Sequence, residues 1–303
     1  MANSLGVRSF GFADAPDYIE KITYAIWNGP DRDPGLIGRY YGADTAIHMD
    51  GGDLCGADAV IANTEARLVA FPDFHGQIDD TIWTGDEKTG YRTSMRWTWT
   101  GTNAGPSAFG PATGRRVAFT AIADCVIRGE MIVEEWLGAN PLDLARQLGL
   151  TEQETLQAVP PPLKAAALRP LVSRTCGDAG EVVADSWTTR LDGSWRSGAD
   201  DYAPDAVVSL GPQRLLRGRD EITGWSDRWR ALAGGLTWSL IDQYSRPARC
   251  GDWERVATRW ALEGNGMRLS GISHHRVLNG KIMAEWTQYD ELSLLAQGAP
   301  LLP

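Results

Sequence analysis

The chain has 303 residues, 43% of them hydrophobic and 22% charged, which is enough apolar material for two ordinary domains with cores of their own and too much for a disordered chain. Its net charge of -10, with the arginines scattered rather than gathered in a stripe, argues against nucleic acid as a partner. Cys55, Cys125, Cys176 and Cys250 have neither zinc-ligand nor redox spacing, Met1 to Phe12 has no signal-peptide core, and no apolar run approaches the ~20 residues of a membrane span, so the expectation is a soluble cytoplasmic protein with reduced thiols and no membrane partner.

In chain order, Ile19, Ile22, Ala25 and Ile26 recur at helical spacing and predict a helix over Asp14 to Trp27, with Asp14 or Asp17 as its cap. A short helix is expected over Pro34 to Tyr41, a short strand over Ala46 to Met49, and a third helix over Gly56 to Phe71. The pattern then changes to strands: Phe74 to Trp83, Tyr91 to Gly101, Val117 to Arg128 and, after a tight Arg128-Gly129 turn, Met131 to Leu137. Pro141 to Leu148 closes this half as a helix. The second half repeats the order, with helices over Asp178 to Leu191 and Asp220 to Leu232 and a short strand over Ala206 to Leu210. Strands then follow over Leu236 to Ser245, Trp253 to Glu263, Arg268 to Leu278 and Ile282 to Gln288, with Tyr289 to Gln297 closing.

Local matches carry the repeat. Tyr41-Gly42-Ala43-Asp44 corresponds to Tyr202-Ala203-Pro204-Asp205, and Gly56-Ala57-Asp58 to Gly218-Arg219-Asp220. Arg96-Trp97 corresponds to Arg259-Trp260, and Glu135-Trp136 to Glu285-Trp286. Each is weak alone, but the shared order signals one duplication rather than a solenoid. The organisation expected is a domain over 1–150, a Pro-rich linker over 151–175 containing Pro160-Pro161-Pro162, and a second domain over 176–303. Helices followed by a run of strands imply α+β domains, in each of which helices cover one face of a curved antiparallel sheet and close a pocket against it.

The first half resembles the SnoaL-like polyketide cyclases, or ester cyclases, of the NTF2-like superfamily. The residues that carry the resemblance are Phe71-Pro72-Asp73, Gly85-Asp86, Arg96-Trp97 with Gly101-Thr102, Phe109 to Gly114, Asp124, Gly129 and Glu135-Trp136, over roughly Ile19 to Leu148. The second half keeps Arg259-Trp260, a glycine turn at Gly280 and Glu285-Trp286 but lacks the Phe-Pro-Asp and Ala-Thr-Gly elements. The resemblance implies two tandem cone-shaped NTF2-like domains with deep pockets, the first of them catalytic. It also implies cofactor-free chemistry in which an aspartate on the long strand before the glycine turn moves the proton, here Asp124.

Asp124 sits in the apolar run Ala121 to Ile127, where a carboxyl stripped of water gains a pKa suited to general acid–base work, unless an arginine such as Arg116 pairs with it. Aligning the glycine turns sets His275 opposite Asp124, and a histidine titrates in the range the same task needs. His48 and His75 are further candidates for a proton carrier near the first pocket, each with a structural alternative. Among the 13 tryptophans and their neighbours, Tyr41, Trp83 and Trp97, with Asn103, and Tyr202 and Trp260 in the second half are the expected substrate-binding residues. Asn103 stands where the family often has histidine. Glu135 and Glu285 read as a structural signature of the last strand. Neither a metal box, a phosphate loop nor a Gly-x-Ser-x-Gly elbow is present, so no metal or cofactor is expected. The function expected is acid–base catalysis on a small carbonyl or hydroxy compound, of the cyclase, isomerase, lyase or hydrolase type. The alternative is a non-catalytic binding module, in which the two halves mimic a dimer within one chain or a homodimer forms.

Overall fold

The computed structural model describes residues 6–49, 52–159, 174–192 and 200–301. The chain divides into two compact units, Met1–Ala166 and Ala167–Pro303. The triple proline falls outside the described residues, whereas 152–158 within the expected linker form a helix.

In the first unit, α1 (Ala15–Trp27) starts where Asp14 accepts the Asp17 amide at 2.9 Å, and its Ile19, Ile22 and Ile26 are buried, as the spacing predicts. After one 3-10 turn come α2 (Ile37–Tyr40), β1 (Tyr41–His48), β2 (Leu54–Cys55) and α3 (Ala57–Ala70). The strand run is β3 (His75–Asp86), β4 (Gly90–Thr102), β5 (Arg116–Arg128) and β6 (Met131–Ala139), and α4 (Pro141–Leu148) and α5 (Glu152–Ala158) follow. The six strands lie in the order β2-β1-β6-β5-β4-β3. Consecutive strands pair antiparallel; the sheet is nevertheless mixed, because β1 joins β6 in parallel. Register shifts at Ile78/Asp80 and Val126/Ile127 mark bulges, which bend and twist the strands locally.

The second unit repeats the plan. It contains β7 (Arg174–Thr175), α6 (Asp178–Asp192), β8 (Tyr202–Gly211), β9 (Arg214–Arg217), α7 (Gly218–Ala233), β10 (Thr237–Pro247), β11 (Glu254–Gly264), β12 (Met267–Leu278), β13 (Lys281–Tyr289) and α8 (Glu291–Ala296). Its sheet runs β7-β10-β11-β12-β13-β8-β9, with β8 parallel to β13 as β1 is to β6. Both units are therefore α+β domains with helices on a single mixed sheet, arranged in tandem.

The two sheets fix the correspondence residue by residue. Across β5 and β6, Cys125 pairs with Glu135 and Asp124 with Trp136; across β12 and β13, His275 pairs with Glu285 and His274 with Trp286. His275 thus matches Cys125, and it is His274 that matches Asp124. The alignment of Gly129 with Gly280 slips by one because Asn279, at φ 51°, takes the left-handed turn position that Gly129 takes at φ 66°. In a strand a one-residue slip exchanges the faces, so this correction changes what His275 can touch.

Candidate functional site

One face of the first sheet and the helices above it enclose an apolar pocket of about 80 Å³. The sheet contributes Met95 and Trp97 from β4, Ala121, Ala123 and Cys125 from β5, and Glu135 and Leu137 from β6. These are alternate residues, as a pleated strand requires. Tyr41 of β1 and Thr23, Ile26 and Trp27 of α1 close two sides, and Val60, Asn63, Thr64 and Arg67 of α3 close a third.

The carboxyl on the sheet side of this pocket is that of Glu135, 7% exposed. The Tyr41 hydroxyl donates to its Oε2 at 2.9 Å. Burial pushes the Glu135 carboxyl up to about 7, against the pull of hydrogen bonds from Tyr41 and from the Cys125 thiol. Burial, followed by the Glu135 and Asp124 charges, holds the Cys125 thiol well above its ordinary range, and burial and Glu135 do the same for Tyr41, so both stay protonated as donors. The result is a carboxyl that exchanges its proton near neutral pH, oriented by two fixed donors in an apolar wall.

Among the expected site residues, Tyr41 and Trp97 line this pocket. Asp124 is buried on the opposite face of β5, beside Ser94 and Trp136 in the adjacent strands, since Ala123 and Cys125 take the pocket face. His48 is on that opposite face as well; its ring stacks on Trp136 at 5.3 Å between centroids and its nitrogens lie 3.2 Å from Asp53 and 3.2 Å from Glu134. His75 is exposed at the start of β3, along a shallow groove with Arg32 and Asp73. Trp83 packs edge-on against Tyr91.

Asn103 ties down the loop after β4. Its amide nitrogen donates to the Gly105 carbonyl at 2.9 Å, and its oxygen accepts from the Thr113 amide and hydroxyl. The Phe71-Pro72-Asp73 and Gly101-Thr102 segments form a clasp of the same kind: Asp73 accepts the Thr102 amide at 2.6 Å, and a Cβ on Gly101 would meet Phe71 at 3.1 Å. These residues tie down the pocket's frame and are not among its lining residues.

In the second domain the described residues at the corresponding place are large buried aromatics and an arginine. Trp260, the counterpart of Trp97, lies over Gly271, where a Cβ would come within 2.1 Å of the indole. Trp187, Trp225 and Trp229 are fully buried around it. The Arg190 guanidinium sits 4.3 Å from the Trp187 ring centre and 4.8 Å from that of Trp225. Arg190 donates to the Tyr202 hydroxyl, which in turn donates to Glu285. Burial works to raise the Glu285 carboxyl, but Arg190, His275 and hydrogen bonds from Thr287 and Tyr202 outweigh it and hold Glu285 below its ordinary range. Burial pushes His275 down to about 4, against the Glu285 charge 3.7 Å away.

Sequence reasoning missed Glu135, although the signal was present in the repeat. Tyr41/Tyr202 and Glu135/Glu285 are two of the matches between the halves, and they are the two ends of one hydrogen bond in each domain. Among the described residues no three His, Cys, Asp or Glu side chains gather as a metal site, and no helix is long and apolar enough to cross a membrane.

Residues 19–148 match the family model of the SnoaL-like polyketide cyclases, which is the span that carries the pocket and the sequence motifs. No curated protein matches the chain. Similar solved structures include TsrD from Streptomyces laurentii (20% identity, 45% of this chain and 98% of that one, TM-score 0.39). Others are IdmH from Streptomyces antibioticus, a candidate polyketide cyclase (23%, 44% and 97%, TM-score 0.37), and AclR from Streptomyces galilaeus, a candidate hydroxylase (22%, 43% and 77%, TM-score 0.36).

Proposed function

We propose that the first domain performs acid–base chemistry on a small organic carbonyl or hydroxy compound, with Glu135 as the group that moves the proton. The observation that carries this reading is a carboxyl with a pKa near 7 in an apolar pocket, hydrogen-bonded by Tyr41. As a carboxylate, Glu135 removes a proton from the carbon next to a carbonyl. The C–H bond breaks, an O–H bond forms on Glu135, and the electron pair moves onto the carbonyl oxygen as an enolate. Return of that proton to another atom isomerises the substrate; attack of the enolate on a second carbonyl closes a ring, its π pair moving to an alkoxide that takes the proton back from Glu135; and loss of a neighbouring hydroxyl, protonated by Glu135, dehydrates it. Each outcome shares the first step, and the match to the cyclase family favours the ring closure. These steps use only side chains of this chain. The pocket's volume of about 80 Å³, room for about two or three waters, suits a compact molecule.

The second domain is proposed as a non-catalytic partner, because Arg190, buried among tryptophans, holds the counterpart carboxyl Glu285 ionised. The test is Glu135→Gln, followed as deuterium exchange next to the carbonyl of small ketone and ester probes in heavy water. Exchange is expected to fall ~100-fold or more with probe binding retained. Full exchange in Glu135→Gln, or its loss in Glu285→Gln instead, overturns the assignment.

A further inference from the structure

Helix α3 presents three polar side chains to the pocket that the proton transfer does not use, Asn63, Thr64 and Arg67. Val60, Asn63, Thr64 and Arg67 follow the i, i+3, i+4, i+7 rule and share one helical face. The Thr64 side chain is 0% exposed, and its hydroxyl has no hydrogen-bond partner among the described residues. A threonine or serine hydroxyl inside a helix ordinarily bonds the carbonyl four residues back. Thr155 and Thr188 do so in this chain, at 2.7 and 2.9 Å, and so does Ser226, which the Gly56/Gly218 match places opposite Thr64. Thr64, which lines the pocket, leaves its hydroxyl without that bond.

One turn further along, Arg67 makes no ion pair among the described residues. Its guanidinium lies 5.8 Å from the Trp27 ring centre, and burial lowers its pKa with no carboxylate to offset the cost. Arg67 lines the pocket and also an adjoining outer groove formed with Phe71, Phe109 and Leu144, so it stands where the two meet. In the second domain the matching positions are aromatic: Trp225 for Asn63 and Trp229 for Arg67. The polar stripe is confined to the domain with the open pocket.

A buried hydroxyl without a partner is costly, a half-buried cation without a counter-ion is open to one, and a ligand with the complementary atoms answers both. We propose that Thr64 and Arg67 bind the substrate's oxygens, Arg67 taking a carboxylate through its planar fork and Thr64 donating to the carbonyl oxygen, so that the molecule handled is a small 3-oxo carboxylate anion. This rests on the proposed proton transfer at Glu135 only for the placement of the acidic C–H; the binding claim stands on α3. Glu135 on the sheet and the Thr64–Arg67 stripe on the helix then hold opposite sides of one molecule.

The experiment is calorimetric titration of acetoacetate and of its neutral methyl ester into the full chain, as wild type, Arg67→Gln, Arg67→Lys and Thr64→Val. Wild type is expected to bind the acid more tightly than the ester by about tenfold or more, the worth of one charge-assisted contact. Arg67→Gln abolishes that preference and leaves the ester unchanged, Arg67→Lys keeps part of it, and Thr64→Val weakens both probes. Equal binding of acid and ester by wild type, acid binding that survives Arg67→Gln, or no saturable binding of acetoacetate overturns the proposal. Deuterium exchange into bound acetoacetate reads Glu135 separately. A carboxylate preference without enzyme-dependent exchange leaves α3 as a binding stripe and removes the catalytic reading. Exchange that needs Glu135 but ignores Arg67 does the reverse.

Discussion

The two domains put the same Tyr–Glu pair at the same place on the same sheet and surround it differently. In the first, Glu135 faces an open apolar pocket and its carboxyl is pushed up to about 7, chiefly by burial. In the second, the counterpart Glu285 is buried against Arg190, whose charge holds it ionised, while His275 takes the position of Cys125 and is held neutral down to about 4. Burial is a shared cause, and Arg190, helped by His275 and two hydrogen bonds, reverses its result. A duplicated carboxylate is thus no guide to duplicated chemistry: the partner decides whether it exchanges protons or anchors a core.

The largest effect expected is on stability. Glu285→Gln leaves the Arg190 guanidinium without its counter-charge among four tryptophans, and breaking a buried pair in this way costs roughly 3–5 kcal/mol. Glu135→Gln is expected to cost much less at neutral pH, since Glu135 is near its midpoint there and has no cation to abandon. Hydrogen exchange read on peptides of β11 and β12 should show faster opening for Glu285→Gln, and peptides of β4 and β5 should be nearly unchanged for Glu135→Gln. Equal destabilisation by the two substitutions would break the comparison.

The pH dependence of the two glutamates carries opposite signs. Glu135 has a folded pKa above its ordinary value of 4.5, so its proton favours the folded state. Its contribution is greatest below 4.5 and is lost as pH rises to about 7, by roughly 3 kcal/mol in all. Glu285 has a lowered folded pKa, so its contribution is present above its ordinary range and is lost as pH falls through the folded value. His275 adds to that loss between its ordinary 6.5 and about 4, because the folded state refuses the proton that the unfolded chain accepts. Acid should therefore open the second domain first. The difference in stability between wild type and Glu135→Gln should shrink in favour of the variant as pH rises from 4.5 to 7. Denaturant titrations at several pH values check both signs.

Much of the fold was legible. The helical spacing of Ile19, Ile22 and Ile26, the strand run after Phe74 and the repeat itself lead to the observed elements, because they rest on local periodicity. The parallel entry of β1 beside β6 was not, since it brings together residues about ninety apart and leaves no periodic trace. The site was legible only as a motif. Its conspicuous members, Asp73, Gly101 and Asn103, are clasps of the frame, and the carboxyl that lines the pocket, Glu135, looked structural because the same Glu-Trp pair recurs as Glu285-Trp286 in the last strand of the second half. Which face a strand residue takes depends on register, and a turn aligned by glycine rather than by its left-handed residue moved His275 by one and to the wrong face.

A smaller effect is expected at Tyr41. Tyr41→Phe removes a donor that favours the Glu135 carboxylate, so the rise of kcat/KM with pH should move to higher pH, and Cys125→Ala should move it the same way by less, following the order of the two hydrogen bonds. Tyr202→Phe should leave the activity profile in place, because its partner Glu285 is held by Arg190 as well and lies outside the open pocket. A profile unmoved by Tyr41→Phe would separate Glu135 from the chemistry.

The smallest effect separates the motif from the pocket. Asp124 is the residue that the family resemblance nominates for proton transfer, and it lies on the far face of β5, one residue from Cys125 and across from Trp136. Its charge reaches Glu135 through the sheet and adds to the upward push on that carboxyl, behind burial. Asp124→Asn removes the charge and keeps the shape. The kcat/KM profile should therefore move to lower pH, with its plateau within about a factor of a few of wild type, since a group that does not touch the substrate forfeits none of the ~100-fold of general acid–base catalysis. Asp124→Asn and Tyr41→Phe are thus expected to displace the profile in opposite directions, a pattern that misfolding does not produce. Loss of turnover in Asp124→Asn at every pH, with Glu135→Gln still active, would return the proton transfer to the position the motif names and leave the open pocket without its acid.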